Sequence, residues 1–419
     1  MDIRKKDSCS LILLIAAIAA VILPIEDISF ADTSTAARTL AATYNLGHNI
    51  MLAEAESVIA RLEKVLTDCK DSNLAFRLKY RIGMIYFKGG MADDAISRFL
   101  QIANNSDCSE LIRVCSLNMI GQISRMKGTD KEALDAFNQL ANLLEQRLAV
   151  DKKNPVNPAL MKLLCSALFS RAEIYQMQKD YTASICEYDR LIHILDQNKK
   201  EQLSQYVPLA NDRISQLYLR EKDVGRYIKI AETLSTEHPE YYRTPVIKFE
   251  IEAVKFLKSV SVNLEFDNGS LTAPVQLITY LKDTRDKTSA QQVVDKLARL
   301  CKDCPGAYAG ILLNYHYACL LDTLGRKDKA VEILARISSN NTVNAANKSR
   351  TQAPAGAIRE YAKIQHAIML GERADYRQAL LMLGSLQTQP AQSHISNLAK
   401  SVAKSIEILK MEVPKNDNK

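Results

Sequence analysis

The feature that most constrains this chain is a spacing. Gly83, Ala95 and Phe99 stand at positions zero, twelve and sixteen of one stretch, and the same offsets return along the sequence. In the first copy, residues 76–109, Ile82, Gly83 and Tyr86 share a helical face, and Gly89-Gly90 breaks the helix. Ala95, Ile96, Phe99 and Ile102 then make one stripe of a second helix. Gly121 is followed at the same offsets by Ala133 and Phe137, Ala172 by Ser184 and Tyr188, and Ser215 by Tyr227 and Ala231. Leu281 is followed by Val293 and Leu297, Ala318 by Ala330 and Leu334, and Ala367 by Ala379 and Leu383. A hairpin of two short amphipathic helices cannot bury its apolar stripe alone, so seven such units must stack on one another.

A small residue, an aromatic three later, then Ala-x3-Phe and a closing Pro resembles the tetratricopeptide repeat (TPR). Tyr86, Tyr175 and Tyr218 supply the aromatic, and Pro239, Pro305 and Pro390 the closing proline. The resemblance implies an all-α fold, a right-handed α-solenoid of stacked hairpins (a TPR-like superhelix). It also implies a concave face, lined by first helices, that binds peptides or proteins. On this register the outward positions of the first array are Arg77, Tyr80, Met84, Phe87, Asn118, Gln122, Arg125, Phe169, Glu173 and Gln176. Those of the second are Lys282, Arg285, Tyr315, Cys319, Tyr361 and Ile364. Tyr80, Phe87, Phe169 and Tyr315 are either anchors for a bound peptide or packing against the next hairpin.

The order along the chain follows. Residues 1–31 read as a signal peptide: Arg4, Lys5 and Lys6, a thirteen-residue apolar run over 11–23, then Ser29-Phe30-Ala31 as a cleavage site before Asp32. That run is short of the about twenty residues that span a membrane. An exported, periplasmic or extracellular chain is expected, with an uncleaved anchor as the alternative. Residues 32–72 are N-terminal capping helices or a degenerate repeat, with Val58, Ile59 and Leu62 in a stripe. Residues 73–241 form the first array, 242–273 a joint helix and turn, 274–393 the second array, 394–411 a capping helix and 412–419 a tail.

Composition agrees. Hydrophobic content of 47% excludes a largely disordered chain, and 14 Gly with 11 Pro in 419 residues favours helix. The formal charge of +7 is spread over both signs; it mildly favours acidic partners or an anionic surface, but an ordinary solvated surface is the plainer reading.

No phosphate loop or GxGxxG is present, and the six histidines are scattered singly, so neither a cofactor nor a metal site is expected. No catalytic constellation stands out, and the chain reads as a non-enzyme. Eight cysteines remain after position 31. Cys108 with Cys115, and Cys301 with Cys304, could form disulfides in an exported protein, or stay buried thiols of helix interfaces. Cys301-Lys-Asp-Cys304 ends a helix, where the dipole disfavours thiolate, which argues against a redox centre. The expected function is an exported scaffold that holds a protein or peptide partner non-covalently in an envelope assembly. Nucleic acid is not expected, membrane contact only through an uncleaved N-terminus, and self-association is left open. The rivals are a membrane-anchored assembly factor, an enzyme on a helical scaffold and a dithiol protein.

Overall fold

A computed structural model describes residues 52–150, 157–198, 203–262, 264, 273–284, 291–303, 307–339, 352–387 and 394–412. The expected signal segment, Arg285 and Cys304 lie outside them. Among the described residues there are seventeen helices and no strand, so the all-α expectation holds. In chain order they are α1 (Leu52–Thr67), α2 (Ser72–Lys88), α3 (Ala92–Ala103), α4 (Glu110–Lys127), α5 (Asp130–Val150) and α6 (Pro158–Met177). Then come α7 (Tyr181–Asn198), α8 (Tyr206–Arg220), α9 (Val224–Glu237), α10 (Thr244–Ser259), α11 (Ala273–Asp283) and α12 (Gln291–Asp303). The last are α13 (Ala307–Thr323), α14 (Lys327–Ser339), α15 (Gln352–Glu372), α16 (Tyr376–Gln387) and α17 (His394–Glu412). None of these helices is long and apolar enough to cross a membrane.

The repeat is written into the backbone more regularly than into the side chains. Seven described residues have positive φ: Gly90, Gly128, Lys179, Lys222, Ser261, Gly325 and Ala374. Each ends a helix, and each is followed by an N–H that donates back across the turn. Met91 donates to the Tyr86 carbonyl, Thr129 to Ser124, Asp180 to Tyr175 and Asp223 to Tyr218, all at 2.9 Å. Val262 donates to Leu257 at 3.0 Å, Arg326 to Leu321 at 2.8 Å and Asp375 to Leu370 at 2.9 Å. This is the Schellman closure, which satisfies carbonyls that a helix end leaves open. The aspartates then open the next helix. Asp180 Oδ1 accepts from the Ala183 N–H at 3.0 Å and Asp223 Oδ1 from the Arg226 N–H at 2.9 Å.

These turns mark α2, α4, α6, α8, α10, α13 and α15 as first helices. Six match the sequence register. The exception is the fifth: α10, expected as a joint, ends in the same turn as the others. Its second helix is α12, which packs on both α10 and α13, while α11 is an insertion packed on α10 and α13. The offset from Leu281 to Val293 therefore joins an inserted helix to a second helix. The apolar pattern misled because Leu281, Val293 and Leu297 are all buried in the same core as Val254 and Leu257.

The described residues form two compact units, up to residue 210 and from 211 on, and the division falls within α8 rather than at 242–273. In the first unit α2–α3, α4–α5 and α6–α7 are hairpins stacked in sequence behind α1. Ala55, Val58, Ile59 and Leu62 of α1 cover Leu74, Leu78, Ile82 and Ile85 of α2. Each second helix turns its sixteenth-position ring onto the first helix: a Cβ at Gly83 would lie 2.9 Å from the Phe99 ring. In the second unit α17 closes the stack, and a Cβ at Gly371 would meet Ile406 of that helix at 3.1 Å. Its stripe stops early, since Ile408 and Leu409 are exposed. Ion pairs tie successive hairpins in a reciprocal set, Lys327 to Glu372 at 2.5 Å and Arg373 to Asp328 at 2.7 Å.

Candidate partner-binding faces

In the first unit the expected row is only partly open. Arg77, Tyr80, Met84 and Phe87 lie along α2 at helical spacing and are all half-buried. Tyr80 is also a packing residue, its ring 5.2 Å from that of Phe99. On α4 the expectation fails. Asn118 and Gln122 are each 1% exposed, because α4 is enclosed by α2, α3, α5 and α6. Gln122 donates to Ser170 Oγ at 3.0 Å and Arg125 pairs with Glu173 at 2.7 Å. Adjacent first helices thus use these side chains on each other. Phe169 is buried too, edge-on to Tyr188 at 5.0 Å and 6.0 Å from Tyr206. Gln176 stays half-buried at the end of α6.

Polar burial continues inside the third hairpin. Arg171 donates to Glu187 at 2.6 Å with both side chains about nine-tenths covered. Burial raises the Glu187 carboxyl above its ordinary range, against the pull of Arg171.

The second unit keeps a row of its own. Lys282 of the inserted α11 is exposed, and Tyr315, Cys319 and Tyr361 on α13 and α15 are half-buried. They act on one another: burial pushes the Cys319 thiol up to about 11, while a hydrogen bond with Tyr315 and the charge of Lys282 pull it down. Tyr361 and Cys319 both act on the Tyr315 hydroxyl, which burial holds well above its usual range. Three helices therefore bring four of the sequence-named residues together. Ile364 is buried and belongs to the core under α16 and α17. His316, behind Tyr315, is buried against Phe249, and burial lowers its pKa to about 4.

One cluster escaped the sequence. Asp212 is 2% exposed and accepts from Arg243 at 2.6 Å and from the Tyr241 hydroxyl at 3.0 Å. Arg243 also donates to Glu250 at 3.2 Å, which accepts from Gln216 at 3.3 Å. Asp212 is on α8, and Arg243 precedes α10, so the network locks the fourth first helix to the fifth. Burial raises the Glu250 carboxyl, countered by Arg243. The only hint in sequence was the joint expected to begin at residue 242.

Cys108 and Cys115 are both buried thiols in the structure. Burial pushes them to about 11 and about 12, and a charge on Cys108 would raise Cys115 further. Cys301 is half-buried. No group of three or more His, Cys, Asp or Glu that could hold a metal occurs among the described residues.

Residues 78–106, which are most of the first hairpin, match the family described as tetratricopeptide repeat. The crystal structure of yeast Tom70 aligns over 86% of this chain and 87% of that one, with 14% identity and a TM-score of 0.32. No curated protein matches the sequence.

Proposed function

We propose that this chain is a scaffold that binds a protein or peptide partner without covalent chemistry. The observation that carries the reading is the row Lys282, Tyr315, Cys319 and Tyr361. Two half-buried aromatics with an exposed lysine beside them give apolar area at low entropic cost and a charge for register. In unit 1 the matching positions of α4 and α6 are consumed by contacts between helices. There the accessible stretch is the α2 stripe of Arg77, Met84 and Phe87, within the hairpin that matches the repeat family.

The proposed setting is the cell envelope, after export and cleavage before Asp32, in the assembly or organisation of a complex. The basic start, apolar run and small-x-small site support it. Intact mass of the protein from the envelope fraction tests that part, since a chain beginning at Met1 removes it. The binding reading is tested by placing a photo-crosslinking residue at Tyr361 or Phe87, and at exposed Leu381 as a control. One partner crosslinked at the first two positions and absent at the third is expected. Equal yields at all three would overturn it.

A further inference from the structure

The second unit carries another groove that uses none of those residues. It opens between α9 and α12, the second helices of the fourth and fifth hairpins, over α10 as its floor, with a volume of 340 Å³. Three helical stripes line it: Glu232 and Ser235 from α9; Lys248, Ile251, Glu252 and Lys255 from α10; Lys296, Arg299 and Leu300 from α12. The spacings i, i+3, i+4 and i+7 put each set on one side of its helix.

Its charges do not cancel. Lys255 takes Glu232 at 2.6 Å, and Lys296 pairs with Glu252. Both acids in the groove are therefore occupied, and each holds a lysine in place at the rim. Lys248 and Arg299 face the same groove and are exposed, with no carboxylate paired to either among the described residues. The surplus is two positive charges over half-buried Leu300.

We infer that this groove binds an acidic, extended peptide segment of a protein partner. The form of the charge argues for that class. Lys248 and Lys255 are seven residues apart on α10, about 10 Å along the helix. An extended chain presents a side chain to one face about every 7 Å, so several acidic side chains on that face can reach basic groups strung along the groove. A single phosphate would need donors converging on one point, and here they are strung out. A flat anionic lipid surface would reach only the rim charges, whereas an extended chain can lie in the groove against Leu300. Arg299 offers the fork that matches a carboxylate, and the lysines act as point charges beside it.

The test uses the full-length chain and a fluorescein-labelled peptide of alternating Glu and Leu, read by anisotropy. The reference is the same chain carrying Lys400→Glu and Lys404→Glu, two exposed α17 positions with the same charge change. Lys248→Glu with Arg299→Glu is expected to weaken binding by about tenfold or more, and the α17 pair by less than about twofold. Arg299→Lys with native Lys248 is expected to lose only part of it, since charge is kept and the fork is lost. Circular dichroism melting of each variant excludes unfolding as the cause. Equal weakening by both double variants would reduce the effect to net charge and overturn the site. Displacement of the peptide by millimolar inorganic phosphate, or by vesicles of anionic lipid at equal charge, would overturn the peptide class. Because the crosslinking test concerns other residues, either reading can fail while the other stands.

Discussion

The ring of Phe137 fills the space that a side chain at Gly121 would need. A Cβ placed there would come within 2.5 Å of the ring edge, and at Gly83 the matching distance to Phe99 is 2.9 Å. Both rings are fully buried, so neither can swing aside freely. Gly121→Ala therefore forces α4 and α5 apart at a cost of about 1–3 kcal/mol, less the about 1 kcal/mol that alanine gains in helix propensity. Gly83→Ala, with the milder clash, should be nearer neutral. Urea unfolding followed by circular dichroism compares them. A Gly121→Ala chain more stable than wild type would mean that the hairpins are not closed by this contact.

Four hairpin turns place a side chain where glycine is preferred: Lys179, Lys222, Ser261 and Ala374, with φ of 64°, 62°, 56° and 64°. An L-residue pays about 1 kcal/mol in that conformation, while glycine costs some entropy in the unfolded chain. Lys179→Gly, Lys222→Gly and Ala374→Gly should each stabilise by about 0.5 kcal/mol, and add, since the turns belong to different hairpins. Thermal melts of the single and triple variants check this. A fall in melting temperature would show that the side chains support the turns.

Arg243 stands between two buried carboxylates. Its removal as Arg243→Leu leaves Asp212 and Glu250 without a cation, at a cost of about 3–5 kcal/mol. Adding Asp212→Asn and Glu250→Gln should restore part of the loss, because the uncompensated charge has gone. Denaturant midpoints decide. If Arg243→Leu unfolds at the wild-type midpoint, the cluster does not hold α8 to α10.

His316 gives a pH signature. Its pKa of about 4 in the folded chain lies below the ordinary value of 6.5 because burial opposes its charge. The unfolded chain therefore binds more protons between those values. Its contribution is complete above pH 6.5, declines as pH falls towards 4, and is flat below. The total is about 3 kcal/mol. Glu250, raised by burial, titrates with the opposite sign, so the informative quantity is the difference between wild type and His316→Leu. That difference should shrink as pH falls from 6.5 to 4. A constant difference would mean that His316 is solvated.

What the sequence disclosed was whatever local spacing controls. Six of the seven first helices were legible from apolar periods and turn residues. The fifth hairpin was not, because an inserted helix with its own apolar stripe stood where a first helix was expected. The true turn at Ser261 carries no glycine to announce it. Burial of Asn118, Gln122 and Phe169 was hidden because a helical register shows which side a residue is on. It does not show how closely the next first helix lies. The Asp212–Arg243–Glu250 network joins residues far apart in sequence through side chains that, read singly, look like surface charge.

The measurement closest to the central claim compares two chains in the cell. Wild type and a Lys282→Glu, Tyr361→Ala variant are crosslinked in place, and the captured proteins are quantified by mass spectrometry. Both substituted side chains are at least partly exposed, so the melting temperature should hold within a few degrees. The account predicts one abundant partner with wild type and a loss of about fivefold or more with the variant. Undiminished capture by a variant that folds normally would contradict it, and would move the working surface away from the row of Lys282, Tyr315, Cys319 and Tyr361.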